Sequence, residues 1–170
     1  MEVLIVDALA RGSYGRRIVT VDAIGAGPRT VAGVLEKLGI GVELVTAETL
    51  LDNPRIVDQY DVLMISAMSI DEKTVAKIVR IWRRRHGKKA VIVGGPIASD
   101  PDFVIRVGAD IGVHGEAEPV IEKLVGEGIV DERRVDYERL NSVCGTAFMQ
   151  NGRLVMNRRC PIMPRRVWER

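Results

Sequence analysis

The chain has 170 residues, 46% of them hydrophobic and 28% charged, with a formal net charge of +2. That is enough sequence for a domain with its own core, and too little net charge to imply nucleic acid as a partner. No apolar run reaches the roughly 20 residues that a membrane-crossing helix needs, and the two cysteines, Cys144 and Cys160, form no metal-ligand cluster and fit a reducing compartment.

The first seven residues run straight into an apolar strand, Glu2–Asp7, with no basic leader, which points to a cytoplasmic protein. A near-continuous apolar run is the mark of a strand buried on both faces. A long connection follows, from Ala8 to Pro28, with glycines at 12, 15, 25 and 27 and arginines at 11, 16, 17 and 29. It reads as a lid over a ligand or, at Gly25-Ala26-Gly27 before a helix, as a phosphate cradle. Val31, Val34, Leu35 and Leu38 recur at helical spacing, and Gly39 stops the helix. Val42–Val45 is the second strand. Thr49–Tyr60 is a short helix or a loop and helix, with Pro54 in its first turn and Asn53 as the cap. Val62–Ser66 is the third strand. Asp71 caps a long helix from Glu72 to about Arg85, whose apolar stripe is Val75, Ile78, Val79 and Trp82.

Ala90–Val93 is the fourth strand, and it stops at Gly94-Gly95-Pro96. Glycine lacks a Cβ, so a ligand can lie against the main chain there, and a side chain added at either glycine would project into its site. Ser99 or Asp100 caps a short helix that Gly108 ends. Ile111–Val113 is the fifth strand, followed by His114-Gly115-Glu116 and a helix over Glu118–Val125. Repeating βα units mean a parallel sheet with helices on both faces. The expected fold is therefore α/β and three-layered: a flavodoxin-like or Rossmann-like, doubly wound sheet of five parallel strands. Its ligand crevice is expected beside Asp7 and Ser66, between the first and third strands. Residues 1–130 make this unit. Residues 131–157 supply a charged connector, 131–140, and a β-hairpin, Val143–Met149 with Leu154–Met156, turned at Asn151-Gly152. Residues 158–170 form a basic tail or linker.

The order of these features resembles the cobalamin-binding domain found at the N-terminus of many radical S-adenosylmethionine enzymes. The residues that carry the resemblance are Val93-Gly94-Gly95-Pro96, His114-Gly115-Glu116-Ala117-Glu118 and the hairpin with Asn151-Gly152-Arg153. Related cobalamin domains carry Asp-x-His-x-x-Gly after the first strand, and the histidine replaces the cofactor's own base below cobalt. Here Asp7 and Gly12 are in register, and Leu9 stands where the histidine would be. The family's Ser-x-Leu maps onto Ser66-Ala67-Met68, and its glycine pair onto Gly94 and Gly95. The resemblance thus implies a cofactor site of Asp7, Leu9, Gly12, Ser66, Met68, Gly94, Gly95, Pro96, His114, Gly115 and Glu116. It implies a bound corrinoid with no protein histidine below cobalt.

The Cys-x-x-x-Cys-x-x-Cys motif of those enzymes is absent, and two cysteines cannot hold an iron–sulfur cluster that needs three. The resemblance therefore implies a module that is not catalytic by itself. A catalytic domain, in cis or in trans, would bring the cluster and S-adenosylmethionine. Each residue also has a plainer reading. Asp7 ties down the next loop. Ser66 bonds to backbone. His114 is structural and exposed at the sheet edge. Glu116 and Glu118 charge a helix start, and His86 complements a helix end. The run Arg80, Arg83, Arg84, Arg85, Lys88 and Lys89 is a solvated helix end. If these plainer readings hold throughout, the fold has an emptied site and acts as an interaction module or binds a nucleotide or flavin. A balance of few aromatics (4%) against abundant Arg, Glu, Val and Ile points to a thermophile.

Overall fold

The computed structural model describes residues 1–8 and 23–161. Leu9, Gly12, the arginines at 11, 16 and 17, and the tail from 162 lie outside the described residues. The chain runs β1 (Glu2–Asp7), α1 (Ala26–Lys37), β2 (Gly41–Thr46), α2 (Ala47–Asp52), β3 (Val62–Ser66), α3 (Glu72–His86) and β4 (Val91–Gly94). It continues with α4 (Phe103–Val107), β5 (Ile111–Val113), α5 (Ala117–Gly126), α6 (Tyr137–Leu140), β6 (Thr146–Gln150) and β7 (Arg153–Met156).

The strands form one seven-stranded sheet in the order β2-β1-β3-β4-β5-β6-β7. β1 to β5 are mutually parallel, and β6 and β7 are antiparallel. The doubly wound, flavodoxin-like sheet of five parallel strands is thus what the structure shows, and the hairpin continues the same sheet through β5. Side chains alternate across each strand. Val3, Ile5, Val62, Met64, Ile92, Ile111 and Val113 meet α1 and α5 on one face. Leu4, Val6, Leu63, Ile65, Val91 and Val93 meet α2, α3 and α4 on the other. Trp82 of α3 is fully buried there, its indole N–H donating to the Lys89 carbonyl at 3.0 Å.

Several local expectations are corrected. α1 starts at Ala26, so Pro28 lies within its first turn, where a missing N–H costs no helical hydrogen bond. The segment over 49–60 is two helical pieces, the second with Asn53 at its cap position and Pro54 in its first turn as expected. Thr46 caps α2, its hydroxyl accepting from the Thr49 amide at 3.3 Å, and Pro54 opens a separate 3₁₀ turn. Asp71 does not cap α3; its carboxylate accepts from the Met68 amide at 3.0 Å and closes the 3₁₀ turn before that helix. Asp102, rather than Ser99 or Asp100, precedes α4. The hairpin turn is as expected, with positive φ at Asn151 (52°) and Gly152 (76°). Its first strand starts only at Thr146, because Val143–Gly145 is taken up in a turn closed by the Thr146 hydroxyl donating to Val143 at 2.7 Å.

The basic helix end is largely paired. Arg83 reaches Asp110 at 2.7 Å, Arg85 reaches Asp58 at 2.7 Å and Lys89 reaches Asp61 at 2.8 Å. The Tyr60 hydroxyl donates to Glu43, and burial followed by that carboxylate pushes its phenol up to about 12, so it stays protonated and donating across the neutral range. Cys144 and Cys160 are joined as a disulfide, which corrects their expected state as reduced thiols.

Candidate functional site

The register lines up the strand tips in one row. Asp7 lies opposite Ser66, Ser66 opposite Gly94, and Gly94 opposite Val113. Residues distant in sequence therefore meet along the carboxyl edge, as a parallel sheet dictates. Below this row, on the face shared by α1 and α5, lies a crevice of about 220 Å³. Its floor is Ile5, Met64, Ile92 and Val113. One wall is α1, through Gly27, Pro28 and Val31; the other is the start of α5, from Gly115 to Ile121. The lining is mostly aliphatic. Its side-chain polar groups are the Ser66 hydroxyl and the carboxylates of Glu116 and Glu118.

Both walls present helix starts. Gly25, at the cap of α1, makes no side-chain cap, and α1 has no acidic residue in its first turn. Its amide donates to the Asp7 carboxylate at 2.7 Å. Asp7 is buried at the end of β1, so this bond fixes where α1 begins and hence the position of that wall. Glu116 occupies the cap position of α5, and Gly115 before it has φ 88° with open space where a Cβ would stand.

Of the expected site residues, Ser66, Gly94, Gly95, Gly115 and Glu116 line the crevice. Met68 is exposed at the rim and Pro96 opens a 3₁₀ turn beside it; neither lines the crevice. Asp7 acts from behind the wall. The crevice sits on the α1–α5 face across the tips of β1, β3, β4 and β5, not between β1 and β3 alone. Its floor residues escaped the sequence reading, although the signal was present: each lies on the same face as a strand-tip residue, at a spacing of two or directly in the tip row.

Two expectations about individual residues fail. A Cβ on Gly95 would not enter the crevice. It would stand 2.7 Å from the Ala67 carbonyl oxygen, and Gly95 has φ 93°. His114 is not exposed at the edge but only 4% accessible, and it does not line the crevice. Among the described residues, neither of its ring nitrogens has a hydrogen-bond partner. An unsatisfied buried polar group costs about 1–3 kcal/mol. His114→Leu, similar in volume, is therefore expected to raise stability by about 1 kcal/mol, whereas His114→Ala leaves a void and lowers it by about 2 kcal/mol. Urea unfolding of the two variants checks this. A leucine variant as unstable as the alanine one would show that the imidazole makes a polar contact the fold needs. The second histidine, His86, sits at the end of α3 with Nε2 2.7 Å from the Val57 carbonyl and does not line the crevice. Among the described residues no group of three or more His, Cys, Asp or Glu is placed to hold a metal ion, and no helix is long and apolar enough to cross a membrane.

No protein-family model matches the chain. It is similar to an uncharacterized protein of Methanocaldococcus jannaschii, 42% identical over 125 residues, which are 74% of this chain and 24% of the relative. An uncharacterized protein of Methanopyrus kandleri is 42% identical over 127 residues, 74% of this chain and 23% of the relative. The 2-(S-pantetheinyl)-carbapenam-3-carboxylate methyltransferase of Streptantibioticus cattleyicolor is 32% identical over 110 residues, 63% of this chain and 15% of the enzyme. The chain thus spans about a quarter or less of the length of these relatives. Among solved structures, an atypical orphan response regulator is similar with a TM-score of 0.45 and 19% identity, covering 75% of this chain and 91% of that one.

Proposed function

We propose that this chain is a corrinoid-binding module that serves a methyltransferase-type radical S-adenosylmethionine catalytic domain. The observation that carries the reading is the aliphatic crevice at the carboxyl edge, with the bare backbone of Gly94 in its lining. A volume of about 220 Å³ is below the ~300–1,000 Å³ usual for a whole drug-sized ligand. It suits one flat arm of a larger cofactor, such as the base of a nucleotide tail, with the bulky ring outside. Ile5, Met64 and Ile92 would pack against that arm, Gly94 would let it approach the backbone, and the Ser66 hydroxyl would bond its polar edge. The corrinoid, when bound, supplies the alkyl-transfer chemistry; this chain holds it, orients it and keeps water from the buried arm. Neither histidine lines the crevice, so no imidazole of this chain is expected below cobalt. The methyltransferase relative supports the assignment, as does the order of the motifs.

The test is retention of hydroxocobalamin by the purified chain. Colour should co-elute with protein in gel filtration, and the visible spectrum should change to that of a cobalamin whose own base has left cobalt. Colour that passes through unretained would reject the reading and favour the fold with an emptied site, in which the crevice takes a nucleotide or flavin or none.

A further inference from the structure

A second feature lies beside the crevice but outside its lining. The Cys144–Cys160 disulfide has a Cα–Cα distance of 4.9 Å and closes a loop of sequence separation 16, which contains the whole β6–β7 hairpin. Both cysteines are half-buried, so a small thiol can reach them.

The bond's surroundings connect it to the crevice wall. Gly145, next to Cys144, has φ 71°, and a Cβ there would stand 2.9 Å from Val120, 3.1 Å from the His114 carbonyl oxygen and 3.3 Å from the Cys160 sulfur. Gly145 is therefore pressed between the disulfide and the β5–α5 junction. Its carbonyl accepts from the His114 amide at 2.9 Å, and its own amide donates to the Arg158 carbonyl at 2.8 Å. His114 leads directly into Gly115 and Glu116, the lip of the crevice. Asn157 is held independently, its side-chain amide donating to Leu140, Val143 and Thr146 at 2.9–3.0 Å. Beyond Asn157, among the described residues, the chain is tied back by the Gly145–Arg158 hydrogen bond and the disulfide.

We propose that Cys144 and Cys160 form a reversible thiol–disulfide site that fastens the chain leaving β7 against the β5–α5 lip of the crevice. The co-reactant is a dithiol. Its thiolate attacks one sulfur of the pair, forms a mixed disulfide and releases the other cysteine as a thiolate. The dithiol's second sulfur then displaces the remaining cysteine. Two electrons and two protons pass to the pair, and the dithiol leaves as a disulfide. In the oxidised form residues 158–160 are pinned and Gly145 is held against His114. In the reduced form that segment keeps one hydrogen bond, and the lip loses its backing. Any effect on ligand retention rests on the corrinoid reading; the fastening does not.

The test uses the full chain, reduced by dithiothreitol or oxidised by glutathione disulfide. Alkylation of the folded protein should find two thiols after reduction and none after oxidation. Hydrogen exchange should rise on the order of 10-fold on reduction at 114–117 and 143–160, and stay unchanged in β1, β3 and β4. Glutathione disulfide should restore it. Thiols that become reactive only in denaturant, or exchange identical in both states, would overturn the proposal. A Cys144→Ser/Cys160→Ser variant should match the reduced form and retain hydroxocobalamin severalfold less well. If the unmodified chain retains none, the corrinoid reading fails, while the exchange data still decide the fastening.

Discussion

Gly95→Val is expected to lower stability by about 3–5 kcal/mol, the sum of backbone strain and steric overlap. Gly95 has φ 93° and ψ −169°, a region that glycine alone occupies without strain. The added Cβ would stand 2.7 Å from the Ala67 carbonyl oxygen and 3.2 Å from its amide nitrogen, and both are backbone atoms that cannot swing aside. That backbone is committed elsewhere. The Ala67 amide donates to Gly94 at 3.0 Å, and its carbonyl accepts from Ile97 at 3.1 Å. Moving Ala67 would therefore break the stitching between the tips of β3 and β4. For a chain of this length the melting temperature should fall by about 10–15 °C. Even Gly95→Ala should keep most of the strain. An unchanged melting temperature would mean that the β3–β4 tips accommodate a side chain, and that the glycine is not required by backbone geometry.

That outcome bears on what the sequence conveys. Short, near-continuous apolar strands alternating with helical stripes were enough for the sheet and its doubly wound helices, and Asn-Gly for the hairpin turn, because each is set by local pattern. The glycine pair was visible as a strand-tip signal, but two adjacent glycines do different things. Gly94 lines the crevice without a positive φ, and Gly95 holds a positive φ with backbone where its Cβ would stand. Sequence shows the missing Cβ in both cases and the direction it would take in neither. His114 misled for a related reason. Strand alternation after Val113 turns it away from the α1–α5 face, so a histidine beside the lip is buried behind it. The disulfide was not legible either. Sixteen residues separate its cysteines, and only the closing of β6 on β7 brings them together. The floor of the crevice is aliphatic; alternation assigns its residues to the face of the tip row, but does not say which of them a helix will leave uncovered.

Gly94→Val separates binding from folding, which Gly95→Val cannot. A Cβ at Gly94 meets the Val113 carbonyl oxygen at 3.5 Å and its Cβ at 3.6 Å, both ordinary contacts. Gly94 is not among the positive-φ residues, and a β-branched side chain suits the end of a strand. The melting temperature should therefore stay within a few degrees, on the order of 1 kcal/mol. The two valine methyls, however, would extend into the crevice beside Ile92 and Ser66, where the buried arm of the ligand is proposed to lie. Overpacking a filled site by this much costs about 1–3 kcal/mol, which is about a 5- to 150-fold loss of hydroxocobalamin retention. Gly94→Ala, with one methyl near the crevice wall, should lose several times less. Retention and thermal unfolding measured on the same samples make the comparison. If valine at 94 leaves both unchanged while the unmodified chain binds, the ligand does not enter this crevice, and the corrinoid would have to rest on the exposed rim at Met68 and Pro96 instead.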